Sequence, residues 1–316
     1  MGRRNMFKNK DYILAIYRER SFTKASEKLF VSQPSLSATI KRVEEKVSAP
    51  IFDRSSNPIT LTDIGKEYVR YALEIESKEK EFESYISDHE NLLAGKVRVG
   101  GSSFFSSFIL PKMVSDFNSE FPKIEFDIIE DKTKNLIAKL YNGELDIIMD
   151  NAQISDENVV SEVYTSETLL LAVPRRFGTN EKTLEFSLSS GEIKKDTHLA
   201  ATEIDISRFA SLPFILLNHE NDTGKRAESI FKKHEISPKI LFRVDQQLTA
   251  YNIAGSGLGI AFVSDTLVKR IGTNPDIVYY KLSDVEATRN IYFYRKCNHY
   301  LSFACRTFID RNTQQT

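Results

Sequence analysis

The stretch SFTKASEKLFVSQPSLSATIKRVEE, Ser21 to Glu45, reads as two helices joined by a turn whose centre, VSQPSLSAT, is crowded with short polar side chains. Ser21 or Thr23 caps the first helix, Thr23 to Phe30, in which Ala25 is small enough for another backbone to approach and Leu29 points toward a core. Val31 and Ser32 form the turn, and Ser32 is a good N-cap. Pro34 falls in the first turn of the next helix, which starts at Gln33, where its missing N–H costs nothing. Leu36, Ile40, Val43 and Val47 then follow by steps of four, three and four, an apolar stripe that must face a core. Upstream, Tyr12, Ile13, Ile16 and Tyr17 predict a helix from Asn9 to Arg20 for that stripe to meet. Left facing outward are Gln33, Ser35, Ser37, Ala38, Thr39, Lys41 and Arg42. These are the amide, hydroxyl, methyl and cationic groups that read base edges from the leading end of a helix in the major groove. A capped surface helix with incidental polar residues fits the same pattern, and periodicity leaves the two readings level.

Charge is distributed unevenly. Residues 1 to 70 hold fourteen Lys and Arg against eight Asp and Glu, a net +6, so the remainder carries −7 within a total of −1. A basic head on an acidic body suits a polyanion for the head alone, although a solvated basic face accounts for the charge as well. At 316 residues, 41 % hydrophobic and 28 % charged, the chain has the composition of a soluble globular protein of two or more domains. No apolar run reaches the roughly 18 residues of a membrane helix, and the start, MGRRNMFKNKDY, lacks the apolar centre of a signal peptide. Two cysteines, Cys297 and Cys305, make no disulfide framework. The expectation is a cytoplasmic protein without membrane partners.

From Ser21 to Tyr68 the chain resembles the winged helix-turn-helix of the LysR-type transcriptional regulators, with SFTKAS, Leu29, VSQPSLS, Ile40, VEE, IFDR and LTDIG in family order. The resemblance implies a wing built from the strand around Phe52 and from Ile59 to Leu61. It assigns base reading to Gln33, Pro34 and Ser37, with Ser35, Ala38, Thr39 and Lys41 on the same face and Arg54 on phosphate. Two positions depart from the family: Val47-Ser48 stands where a Leu-Gly pair is usual, and Ala38 where a basic residue is frequent. The first bears on the turn into the wing and the second on the operator sequence. Beyond the wing, Ile64, Tyr68, Tyr71, Ile75, Lys78, Phe82, Tyr85, His89 and Leu92 recur in steps of four and three, a heptad seam ended by Leu93, Ala94 and Gly95. Such a seam pairs with a copy of itself; a helix lying on its own domain is the alternative. The resemblance further implies an inverted-repeat operator on double-stranded DNA and a homodimer assembling to a homotetramer.

After Gly95, short β-rich runs (KVRVGGSS, KIEFDIIED, LDIIMDN, PFILLNH, KILFRVD, GLGIAFVSD) alternate with helical stretches, which predicts a parallel sheet with crossover helices. The fold class expected is α/β and multi-domain: a winged helix-turn-helix over 1–62, a linker helix over 63–93 and a two-lobed domain over 94–316. Its first lobe takes 94–172 and 279–316, with the late strands IVYYKL and NIYFYR, and its second takes 173–278. This half resembles the family's effector-binding domain, itself similar to periplasmic binding proteins, and 178–205 reads as a local insertion. Ligands of open α/β sheets sit at strand C-termini beside helix N-termini, which favour anions. Those ends are Gly101-Ser102-Ser103 with Phe104, Asp131 to Thr133, Asn151, Asn218 and Asp245-Gln246-Gln247; each is equally a capping residue. The first, second and last are where the resemblance puts an inducer, expected to be small and anionic. No metal-type His or Cys spacing occurs, Gly255-Ser256-Gly257 is not a nucleophile elbow, and GSGLG lacks the lysine of a phosphate loop. Neither enzyme activity nor a cofactor is expected. A solute-binding module with an oligomerising head is the first alternative, and an enzyme with such a head the second.

Overall fold

The computed structural model describes residues 5–89, 94–177 and 181–313, so Leu92 and Leu93 of the expected seam and the start of the expected insertion at Gly178 lie outside the described residues. The chain forms two compact units, Met1–Asn91 with Tyr141–Glu144, and Leu92–Leu140 with Leu145–Thr316.

In the first unit α1 (Lys10–Glu19), α2 (Phe22–Lys28) and α3 (Gln33–Val47) close on one another, followed by β1 (Phe52–Asp53), β2 (Thr60–Leu61) and the long α4 (Asp63–His89). Their core is Ile13, Leu14, Ile16, Ala25, Leu36, Ile40, Val43, Ile51 and Phe52, with Tyr68, Val69, Ala72 and Leu73 from α4. Ser21, not Thr23, caps α2 by accepting Lys24 N–H, and Phe30 ends the turn in the left-handed region at φ 54°. The wing is the antiparallel pair Phe52↔Leu61 and Asp53↔Thr60. Ser48 adopts φ 61° as the C-cap of α3, its N–H bonded to Glu44 O. It thus supplies the left-handed turn for which a glycine is the easier residue, at a cost of about 1 kcal/mol. Gly65 explains the LTDIG motif physically, because a Cβ there would lie 2.0 Å from the Ile51 carbonyl oxygen. The first turn of α4 is therefore seated directly against the entry to the wing.

The seam expectation needs one correction. Ile64, Tyr71, Phe82 and Tyr85 are about half exposed, as is Ile86, and Ile75 is half-buried. Tyr68, however, is 5 % exposed, stacked on Phe7 and donating its hydroxyl to Met6 O at 2.8 Å. At about 100° per residue Tyr68 sits between the apolar stripe of Tyr71 and the core stripe of Val69 and Ala72. Packing against the head takes it. Ion pairs Arg18–Glu76 and Lys10–Glu79 fasten α1 to the middle of α4.

The second unit contains β3 (Gly95–Gly101), a π-helical turn (Phe105–Ile109) running into α5 (Leu110–Asn118), β4 (Ile124–Glu130), α6 (Thr133–Tyr141), β5 (Ile147–Asp150), β6 (Val159–Pro174), α7 (Glu181–Leu184) and α8 (Ser190–Lys194). It continues with β7 (Pro213–Leu217), α9 (Asp222–Lys233), β8 (Lys239–Val244), α10 (Gln247–Gly255), β9 (Ile260–Ser264), α11 (Asp265–Arg270), β10 (Ile277–Lys281), β11 (Thr288–Lys296) and α12 (Phe303–Thr313). The sheet is mixed rather than all parallel. β3 pairs in parallel with β4 and β5, and β7 with β8 and β9, while β6, β10 and β11 run antiparallel to their neighbours. β6 spans both lobes: Val159–Thr168 pairs β11 in the first, and Leu169–Pro174 pairs β9 and β10 in the second. Leu169 to Val173 and Ile277 to Lys281 thus belong to the second lobe, and the expected crossings at 172 and 279 move to about Thr168 and to the segment between β10 and β11. The reason is registry: Tyr279 and Tyr280 are fully buried beside Leu171 and Ala172. The described part of 178–205 packs onto that lobe through Ile193 and the bridges Leu188↔Tyr279 and Ile204↔Leu282.

Candidate functional site

On α3 the two faces separate cleanly. Leu36 and Ile40 are 0 % and Val43 1 % exposed, whereas Gln33, Pro34, Ser35, Ala38, Lys41 and Arg42 are exposed and Ser37 and Thr39 half-exposed. Ser32 caps the helix by accepting Ser35 N–H. Gln33 Nε2 donates to Ser37 Oγ at 3.2 Å and Thr39 Oγ1 to Ser35 O at 2.9 Å, so the polar row is preformed without leaving solvent. Arg54, half exposed in the wing, pairs with Glu44 at 3.3 Å and lies over the Phe22 ring at 4.9 Å. Glu44 also accepts Ile51 N–H at 2.9 Å, which holds the wing's cation in fixed relation to α3.

In the second unit a cavity of about 210 Å³ opens between the lobes. It brings together Ser102, Ser103, Phe104, Asn151, Gln246 and Gln247 of the expected residues. Asp245, named with Gln246 and Gln247 at its strand end, and Phe105, offered by the sequence beside Phe104 as an apolar wall, line it too, whereas sequence reasoning missed Ser107, Phe108, Leu217, Asn221, Thr223 and Leu248. The capping pattern N-D-T at Asn221 was the available signal, since Asn221 accepts Thr223 N–H at 2.9 Å. Of the expected residues, Gly101, Asp131, Lys132, Thr133 and Asn218 are not part of the lining. The Gly101 carbonyl accepts Ser106 Oγ–H, Thr133 donates to Asp150 Oδ2 at 2.7 Å, and Asn218 donates to Asp245 Oδ1 at 2.6 Å. Each is used to fasten a strand end or loop. Gln247 faces the cavity with both amide atoms engaged, Nε2 on Thr223 Oγ1 and Oε1 accepting Ser264 N–H.

Three helices begin at the cavity: the run from Ser103, α9 behind its cap Asn221, and α10 behind Gln246, whose side chain caps nothing. Gly224 lets α9 come this close, as a Cβ there would lie 2.5 Å from Asn218 O. Converging N–H groups favour a negative group. Asp245 is the one charged side chain in the described lining, with Lys132 Nζ at 4.0 Å from it across the lobes. Below the cavity floor Asp150 is fully buried, and burial pushes its carboxyl above the usual range against the pull of Ala152 N–H and Thr133.

One further cluster resembles a metal site. Asp196, His198 and Asp265 bring potential ligand atoms within 4.8 Å of one another. Lys269 nevertheless bridges the two carboxylates, at 2.6 Å from Asp196 and 3.1 Å from Asp265, and His198 Nε2 lies 3.0 Å from Asp265. The ammonium occupies the place of a cation. Although burial opposes it, the hydrogen bonds from His198 and Thr168 N–H and the charge of Lys269 hold the Asp265 carboxyl below its usual value.

The LysR family of bacterial regulatory helix-turn-helix proteins matches residues 8–66, and the LysR substrate binding domain matches 90–315. The chain is similar to the uncharacterized HTH-type transcriptional regulator YcgK of Bacillus subtilis, 24 % identical over 95 % of this chain and 91 % of that protein. It is also similar to a probable RuBisCO transcriptional regulator of Trieres chinensis, 28 % identical over 87 % and 85 %. Among solved structures its fold matches full-length OxyR from Pseudomonas aeruginosa, with TM-score 0.72, 20 % identity and 99 % and 95 % of the two chains covered. It likewise matches full-length CbnR in complex with its target DNA, with TM-score 0.65, 15 % identity and 98 % and 99 % covered. No described helix is long and apolar enough to cross a membrane. An exposed polar face on the second helix of a winged helix-turn-helix, joined to a two-lobed substrate-binding domain, is the family's plan, and the chain belongs to the LysR family of DNA-binding, effector-responsive transcriptional regulators.

Proposed function

We propose that Gln33, Pro34, Ser35, Ser37, Ala38, Thr39 and Lys41 read an inverted-repeat operator in the major groove, with Arg54 on the phosphate backbone. The observation that carries this reading is the division of α3, whose Leu36, Ile40 and Val43 are buried while Gln33, Ser35, Ala38 and Lys41 stand in solvent. Two heads pair through the exposed stripe of Ile64, Tyr71, Phe82 and Tyr85, with Ile75 at its edge, and two dimers form a tetramer. The protein works in the cytoplasm. Its effector is a small molecule in the 210 Å³ cavity, with a negative group at the helix starts of Ser102-Ser103 and Gln246 and an apolar face on Phe104. Effector binding regulates only if one arrangement of the regulator binds it better than the other. Domain limits of 1–62, 63–93 and 94–316 belong to the same proposal. A gel shift with genomic fragments at several salt concentrations tests the DNA reading. Arg54→Ala is expected to weaken every complex and flatten the salt dependence by about one phosphate contact. An unchanged salt slope removes Arg54 from the backbone contacts, and no shift on any fragment removes the operator reading.

A further inference from the structure

Behind the cavity, Asn151 Nδ2 donates to Glu167 Oε1 at 3.0 Å, and Arg289 Nε donates to the same oxygen at 2.7 Å. Arg289 Nη1 donates onward to Asp222 Oδ2 at 2.7 Å and to Thr223 Oγ1 at 2.9 Å, where Gln247 Nε2 also arrives at 2.8 Å. Asn151 is a wall of the first lobe, and Thr223 and Gln247 are walls of the second. Glu167 and Arg289 are opposite each other in the β6–β11 ladder, next to the two crossings, Glu167 on β6 just before it enters the second lobe and Arg289 at the start of β11, with side chains 0 % and 1 % exposed. One unbroken path of hydrogen bonds therefore joins the facing walls beside both crossings.

The pair is also incompletely bonded. Glu167 Oε2 and Arg289 Nη2 are buried and have no hydrogen-bond partner among the described residues. Guanidinium and carboxylate ordinarily close a two-bond fork. Here a single N–H···O bond joins them, while Oε1 also accepts from the wall residue Asn151 and Nη1 donates to Asp222 and to the wall residue Thr223. A buried donor and acceptor without a partner cost free energy, so the one-bond arrangement must be held by the other bonds of the pair, to Asn151, Thr223 and Asp222.

We propose that Glu167 and Arg289 are positioning residues of the effector cavity: they set the spacing of its two walls, and an occupant competes with them for Asn151 and Thr223. Losing either wall contact frees the pair to close its fork, which ties cavity occupancy to the strands that join the lobes. The proposal rests on the cavity being the effector site, but its test needs no effector. The chain contains no tryptophan, so Phe108→Trp in the full-length protein places a single indole in the cavity lining. Acrylamide quenching of that indole reports how open the cavity is. In this background Glu167→Gln and Arg289→Lys are each expected to raise the quenching constant about twofold. The double variant should exceed neither, because the two act as one unit. Asp146→Asn, which breaks a half-buried pair with Arg98 in the first lobe, is the control and is expected to leave quenching unchanged. Parent-like quenching in Glu167→Gln, a summed effect in the double variant, or an equal rise in the control would each overturn the proposal. If Arg289→Lys fails to fold, the isosteric Glu167→Gln decides alone, and unfolding of that variant counts against a positioning role. Failure here leaves the effector reading intact, whereas failure to bind operator DNA leaves the positioning pair intact.

Discussion

The face of α3 and the cavity of the second unit are both polar surfaces, yet they are built in opposite ways. On α3 the candidate reading groups come from nine consecutive residues, Gln33 to Lys41, and their bonds stay within the helix, while stability is carried by Leu36, Ile40 and Val43 on the far side. In the cavity the polar groups come from separate strand ends and helix starts and bond to one another and to a buried ion pair. Recognition and stability are therefore separable by face in the head, whereas in the body the same hydrogen bonds serve both.

Arg289→Met is expected to have the largest effect. It leaves the buried Glu167 carboxylate uncompensated, and denaturant unfolding should show a loss of about 3 to 5 kcal/mol. A loss below about 1 kcal/mol would mean that the cavity network is not integral to the fold. Next is the head, where Leu36→Ala should cost about 2 to 5 kcal/mol through cavity formation. Ser35→Ala, on the opposite face of the same turn, should stay within about 0.5 kcal/mol. Similar losses for the two would erase the division of α3. The smallest effects are in acid. The folded-state value of Asp265 lies below 3.8, so its contribution is present above that pH and lost as pH falls through the folded value. Asp150 lies above 3.8, so the sign reverses: the fold favours its protonated form, and stability declines as pH rises from 3.8 through the folded value. The acid-side fall of stability should therefore become shallower in Asp265→Asn, and the decline as pH rises above 3.8 shallower in Asp150→Asn. Identical profiles for the two variants would contradict the assignment.

How much was legible in the sequence follows the same division. The head could be read because capping, periodicity and exposure are local: Ser32, Pro34 and the spacing of Leu36, Ile40 and Val43 fix the start, first turn and buried side of α3 within fifteen residues. Tyr68 was misread because a heptad step and a core step coincide where two stripes adjoin. In the body, β6 escaped altogether. Its first half, Val159 to Thr168, sets its apolar residues in pairs and not in alternation, its second half, Leu169 to Val173, is continuously apolar, and the join contains the charged Glu167, which resembles a loop until Arg289, more than a hundred residues on, is seen to neutralise it. The cavity was half legible for a related reason. Ser102, Ser103 and Gln246 follow strands that could be recognised, but the sequence does not say that Thr133 and Asn218 turn their side chains onto Asp150 and Asp245.

The central claim is that the exposed face of α3 distinguishes bases. Its most direct test is the affinity of Gln33→Ala for an operator selected from genomic fragments and for a set of that operator's single-base variants. The account predicts a loss of about 1 to 3 kcal/mol that vanishes when one particular base pair is changed, with discrimination elsewhere preserved. A uniform loss over all the operator variants, or none, would contradict it.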